Sequence, residues 1–398
     1  MVDQRLIEYL DNAELYKSNG DFIRAIECYK EFLKLDSSHP AVYSVLADLY
    51  KKAYGNKSLN EQINYYLKLL ELKPNSRLAL HGLAFGYEKL NNNDKARFYY
   101  EQLLQNNPTS VDYYNYGMFL IHCGDFEQGH KYFTARFEID DPNLKYPAPE
   151  PRWDFKSDIS DKTLLVHYEQ GFGDTIMYSR FVHQLKKLAK KIIFVAQPEL
   201  LNLIKNSKIF DGIEIVSSVE SAKFDYTMAL LDTPLITCAK ASNLPFAEGY
   251  LDVQYDRKKS DKFKIGISYK GDKNANYQER DLTIENFEFL THIEGAEIYS
   301  LQKDEEKHLG GIIPLGESFN NFTDTAKTIK EMDLIISTDN VILNLSGALG
   351  VKTLGLFSEE TNFRWFKTNG KNVGWYNSVK PLKIKDNWQN EILKYIID

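Results

Sequence analysis

Four prolines, Pro40, Pro74, Pro108 and Pro142, recur every 34 residues. A constant period of that length means that one supersecondary unit is repeated, which fixes the plan of the first third of the chain before any residue is read for chemistry. Each proline follows an amphipathic stretch such as EQINYYLKLLELKP or KARFYYEQLLQNNP. Proline lacks the amide donor and its ring collides with the preceding turn, so the period marks helix ends. Small residues keep the same beat: Ala13, Ala47, Ala84 and Gly117 fall in the first helix of successive units, and Ala25, Ala96 and Gly129 in the second. Helices that cross closely need small side chains at the crossing.

A helix–turn–helix unit of 34 residues is the tetratricopeptide repeat (TPR). Four units are expected, with helices pairing over residues 4–35, 41–73, 77–107 and 110–138, inside a repeat domain spanning 1–145. Gln62 takes the small-residue place in the second unit, which also has extra residues around GNKSLN, so looser packing is expected there. Stacked units leave a concave face, and two uses of it stay open: a groove for an extended peptide or helix, or a spacer and self-association arm that would make a homo-oligomer. The 26 Tyr and 23 Phe are expected mainly to fill gaps between stacked helices, with sugar or base stacking as the alternative.

The net charge of −7 argues against sequence-independent nucleic-acid binding, which needs Lys and Arg to neutralise phosphates. The start, MVDQRLIEYLDNAEL, lacks the basic-then-apolar layout of a signal peptide. No uncharged apolar run reaches the length of a transmembrane segment, so a cytoplasmic chain is expected. Cys28, Cys123 and Cys238 are odd in number and far apart, which suggests neither a disulfide framework nor a zinc site.

After YPAPEPRWDF, whose prolines exclude a helix interior, short apolar runs alternate with helical stretches. Strands are expected at TLLVHY (163–168), KIIFVAQ (191–197), IEIVSS (213–218) and FDYTMAL (224–230). A second set follows at KIGISYK (264–270), AEIYSL (296–301), DLIIST (333–338) and TLGLF (353–357). Unbroken β-branched runs of this kind suit parallel strands covered on both faces. The polar stretch QYDRKKSDK (254–262) separates the sets, so the expected fold class is α + α/β: a helical array, then two Rossmann-like domains at 146–255 and 256–398 facing across a cleft.

The sharpest local feature is HYEQGFGDTIMYSRF (167–181), directly after a strand. Gly171 and Gly173 permit a tight turn and close approach to a ligand, and a helix starting near Thr175 would aim amide donors at the cleft. It is not a dinucleotide fingerprint, because Ile176 stands where the third glycine would be. Asp174 is a candidate general base for an acceptor hydroxyl, with Glu169 on the same turn as its substitute. An aspartate just before a helix is equally a favoured N-cap. In the second half, Lys270, Lys273 and Arg280 lie near a strand end, where cations could neutralise a diphosphate. Thr338, Asp339 and Asn340 open a helix, as an anion site or as plain caps.

Together these pieces resemble the bacterial TPR-containing glycosyltransferases related to the heptosyltransferases. The resemblance rests on the repeats, on Trp153 in the connector, and on EQGFGD (169–174) after a strand. It continues through SLQ (300–302), STDNVILNLSGALG (337–350), FRWF (363–366) and WY (375–376). It implies a GT-B arrangement and transfer from a nucleotide-sugar donor, inverting and metal-independent, with no resident cofactor. It also implies Asp174 as the base, and Arg280, Gln302 and Asp339 as donor-side or cleft residues. Where the family shows Thr after the aspartate and His five places after it, this chain has Asn340 and Asn344, which can donate a hydrogen bond to phosphate but carry no charge. The expected acceptor is a Ser or Thr hydroxyl of a protein recruited by the repeats, such as a flagellin or adhesin. A glycan or lipid-linked acceptor, or a scaffold that has lost the activity, are the alternatives.

Overall fold

The computed structural model describes residues 4–140, 149–237, 239–256, 260–271, 281–303, 307–358, 361–365, 374–385 and 387–397. Pro142, Cys238, Lys273 and Arg280 lie outside these residues. The chain divides into two compact units, Met1–Phe119 and Leu120–Asp398.

The first unit is a run of helical hairpins: α1 (Gln4–Ser18) with α2 (Phe22–Leu35), α3 (Pro40–Tyr54) with α4 (Leu59–Leu72), and α5 (Arg77–Lys89) with α6 (Asn93–Leu104). The start of α7 (Ser110–His122) completes it. The period is visible in the packing, since Ala13, Ala25, Ala47, Ala84 and Ala96 have no exposed surface. Side-chain oxygens of Asp21, Ser76 and Asn92 accept the free amides at the starts of α2, α5 and α6. Aromatic rings fill the space between helices, as where Tyr65 of α4 lies against Tyr43 and Tyr50 of α3. The expected looseness at Gln62 is not found. The extra residues form a short 3-10 turn, Gly55–Ser58, and Gln62 Nε2 donates to the Gly55 carbonyl and the Ser58 hydroxyl, both at 3.0 Å. The insertion thus supplies the partners that a buried amide needs.

The second unit begins with the end of α7 and α8 (Phe126–Phe133), the helix expected as the second arm of the fourth hairpin. Within this unit Phe126 packs on Trp375. Two parallel sheets follow. The first has order β3-β2-β1-β4, from β1 (Thr163–His167), β2 (Lys191–Val195), β3 (Glu214–Val216) and β4 (Tyr226–Ala229). The second has order β10-β9-β8-β5-β6-β7, from β5 (Phe263–Ser268), β6 (Ala296–Ser300), β7 (Ile312–Pro314), β8 (Leu334–Thr338), β9 (Thr353–Phe357) and β10 (Val379–Lys383). All eight strands expected from β-branched runs are present. The two that were not expected, β7 and β10, are the edges of the second sheet, and each contains a proline. Proline is tolerated in a sheet at its edge, and such strands lack the long apolar runs that betray central ones.

The strand order matters for function. In the first sheet the chain runs outward through β1, β2 and β3, then returns to the other side of β1 as β4; in the second it does the same around β5 before adding β8. Each reversal leaves a switch point beside the first strand, and open α/β sheets bind ligands at the carboxyl ends of strands there. Among the described residues no helix is long and apolar enough to cross a membrane.

Candidate functional site

The turn after β1 leads into α9 (Phe172–Ser179), and the turn after β8 leads into α13 (Val341–Ala348). Both turns therefore leave from switch-point strands. The two helices pack on each other. Their approach is closest at Gly173, where an added Cβ would lie 3.1 Å from Asn344 Nδ2. Phe172 meets Phe322, the first residue of α12 (Phe322–Glu331), edge to face at 4.9 Å.

α9 starts three residues earlier than the sequence suggested, with Gly171 as its N-cap. Asp174 is consequently a first-turn residue and not the cap. Its carboxylate accepts from the Gly171 amide and forms an ion pair with Arg364, which comes from the chain beyond β9. The Asp174 side chain is 17% exposed and that of Arg364 12%. Withdrawal from water raises the carboxyl above its ordinary value; Arg364 opposes the rise and the charge of Glu169 adds to it. Arg364 also bonds Gln170 Oε1 and Asn362 Oδ1, and its guanidinium lies over the Phe363 ring.

Glu169, on the same turn, is committed elsewhere. Both of its oxygens accept from Arg136, each at 2.7 Å, and Arg136 also donates to Asp232 at 2.8 Å. All three side chains are buried, so the group is an internal ion triad tying the chain after α8, the β1 turn and the segment after β4. Gln197, just beyond β2, donates to the Gln170 carbonyl at 3.2 Å and holds the turn from its other side.

At the second switch point, Asn340 caps α13: its Oδ1 accepts from the amides of Ile342 and Leu343. Its Nδ2 donates to the Ser268 hydroxyl, the Lys270 carbonyl and the buried Thr338 hydroxyl at 3.0–3.3 Å. Gln302, beyond β6, accepts from the amides of Tyr269 and Lys270 at 3.2 and 2.9 Å. These amides tie the ends of β5, β6 and β8 into one framework that positions Lys270. Asp339 is half-buried between Thr338 and the cap. Asn344 donates to the Asn340 carbonyl and accepts from the Tyr376 hydroxyl at 3.1 Å. Two of the leading amides of α13, those of Ile342 and Leu343, are thus occupied by the cap.

Sequence reasoning singled out Asp174, Gly171 and Gly173 on one turn, and Lys270, Gln302, Thr338, Asp339, Asn340 and Asn344 at the other. The approach of α9 to α13 brings Gly173 to Asn344. Arg280 lies outside the described residues. Two residues escaped it. Arg364 was visible only as part of the aromatic FRWF, although an arginine beyond a strand's carboxyl end is the signal that marks it. Arg136 reads as an ordinary helix-surface cation. Among the described residues no cluster of three His, Cys, Asp or Glu side chains could hold a metal ion.

Behind the turn, His130 is fully buried among Phe126, Phe133 and Tyr178. Burial pushes its pKa down to about 3, with the Arg136 charge adding to the effect. The unfolded chain takes up this proton below the ordinary value of 6.5 and the folded chain does not, so folding stability falls as pH drops from 6.5 towards 3. His130→Leu is expected to remove most of that acid-dependent loss, measured by urea unfolding at a series of pH values.

Tetratricopeptide repeat models match residues 9–39 and 77–110, so the helical array carries TPR units. No curated protein sequence matches the chain. Solved structures similar to parts of it include MamA (20% identity, TM-score 0.32, 34% of this chain and 73% of that one). Another is a thermophilic TPR protein from Thermus thermophilus (18% identity, TM-score 0.29, 33% and 73%). A glycosyl transferase family 9 structure from Veillonella parvula aligns at 12% identity and TM-score 0.42, covering 62% of this chain and 92% of that one. With each of these TM-scores below 0.5, the chemistry has to be read from this chain's own residues.

Proposed function

We propose that the chain is an inverting glycosyltransferase of GT-B arrangement, with domains at 1–145, 146–255 and 256–398, moving a sugar from a nucleotide-sugar donor to a hydroxyl of a protein held by the repeats. The observation that carries this reading is Asp174: a nearly buried carboxylate of raised pKa, on the turn after a switch-point strand, beside a cation and a helix from the second sheet. A base in that setting is better matched to taking a hydroxyl proton near neutral pH than a solvated aspartate. In the reaction the acceptor oxygen attacks the anomeric carbon, the carbon–oxygen bond to the diphosphate breaks, and the diphosphate leaves with the bonding pair. Asp174 receives the hydroxyl proton. Glu169, with both oxygens on Arg136, serves as an anchor of the turn. Lys270 stands on the donor side, with Asp339 and the Asn340 cap shaping the floor. Thr338 and Gln302 set the framework, and Asn344 supports α9. We read the protein acceptor, flagellin- or adhesin-like, as the use of the concave TPR face.

The test is intact-mass analysis of candidate acceptor proteins incubated with the chain and a mixture of nucleotide sugars. A discrete sugar increment is expected, and a chelator is expected to leave it unchanged, because side chains rather than a metal would meet the leaving diphosphate. Absence of both transfer and donor hydrolysis across the panel would remove the reading.

A further inference from the structure

The amides of Ile342 and Leu343 at the head of α13 are taken by Asn340, which leaves less of the helix head to a diphosphate arriving there and more to side-chain cations. Among the described residues at the two turns these are Lys270 and Arg364. Arg364 is the one already bound to an anion, the carboxylate of Asp174. Its side chain keeps 12% of its surface open, so the pair is neither a screened surface contact nor a sealed internal one. A guanidinium accepts carboxylate and phosphate oxygens with the same forked geometry, which makes exchange between the two chemically simple.

We propose that Arg364 is a positioning residue shared between two anions: it holds Asp174 while the donor site is empty, and transfers to the donor's diphosphate when that binds, releasing Asp174 to act as base. The proposal rests on the transferase reading given above. Donor binding then switches on the base. While Arg364 pairs with Asp174, its charge opposes the rise that burial imposes on the carboxyl; once it leaves, only the Gly171 amide opposes that rise. Gln170 and Asn362, which also bond the guanidinium, would guide it between the two positions. A base without its partner thus exists only while a diphosphate occupies the donor site.

Competition for one guanidinium gives effects of opposite sign in two variants. With inorganic pyrophosphate as the probe and isothermal titration of the full chain at fixed salt, Arg364→Gln should weaken binding by about tenfold or more, and Arg364→Lys by less, since an ammonium keeps the charge without the fork. Asp174→Asn should tighten binding by about threefold or more, because the competing carboxylate charge is gone. Damage to the fold cannot produce tightening. Pyrophosphate affinity in Asp174→Asn that equals or falls below that of the parent chain would overturn the proposal. If sugar transfer occurs and depends on Asp174 while both variants bind pyrophosphate like the parent, the exchange is wrong and the transferase reading stands. If Asp174→Asn binds pyrophosphate more tightly yet no nucleotide sugar is consumed, the exchange of partners stands and the transferase reading fails.

Discussion

Asp174→Asn is expected to lower the rate of sugar transfer by about 10²- to 10⁴-fold, the usual contribution of a positioned general base. The substitution is nearly isosteric, and the new amide oxygen can still accept from the Gly171 backbone, the bond that anchors the first turn of α9. Arg364 keeps Gln170 and Asn362 as partners. The fold should therefore survive, with a loss from the missing ion pair between the ~1 kcal/mol of a surface pair and the ~3 kcal/mol of a sealed one. The deficit should appear in kcat, with the KM for donor unchanged or lowered, because what is lost is proton transfer in the transition state and not ground-state binding. Steady-state kinetics beside thermal unfolding of the same preparation checks both halves. Wild-type turnover in this variant would remove Asp174 from the mechanism.

The largest expected effect on stability belongs to Arg136. Its guanidinium has no exposed surface and neutralises two carboxylates that are themselves buried, Glu169 and Asp232. Arg136→Met fills much of the same space but leaves two like charges facing each other without water. Breaking a buried ion group in this way costs about 3–5 kcal/mol. In a unit of this size that is a fall of roughly 10 °C in unfolding midpoint. Neutralising all three, as Arg136→Met with Glu169→Gln and Asp232→Asn, is expected to recover a large part of the loss, since the carboxylates were the source of the penalty. A single variant as stable as the parent, followed by differential scanning calorimetry, would show that water reaches the triad.

How much of this was legible in the sequence depended on the range of the interaction that carried it. The repeats and eight of the strands declare themselves locally, through a proline every 34 residues and through β-branched runs such as DLIIST. The two edge strands of the second sheet do not, because VKPLK and IIP are short and carry a proline. The turn with Asp174 was found from its glycines, yet the start of α9 was misplaced because Gly171 caps it without a side-chain bond. Glu169 reads as a substitute for Asp174. It differs only through Arg136, 33 residues away, and through Asp232, which is 96 residues from that arginine. Asn340 looked like a phosphate donor, and its amide is spent on pinning Ser268, Lys270 and Thr338. Pairings across that range leave no periodic trace in a single chain.

The surroundings of Trp375 have a practical consequence. Its indole is fully buried between Phe126, Tyr178 and Phe181, and its Nε1 donates to the backbone carbonyl of Arg364 at 2.7 Å. The chain therefore carries an intrinsic optical reporter wired to the segment that bears this arginine. A displacement of the segment would strip the indole of its acceptor and shift its emission, so movement of this arginine's segment can be timed in a stopped-flow instrument without any added dye.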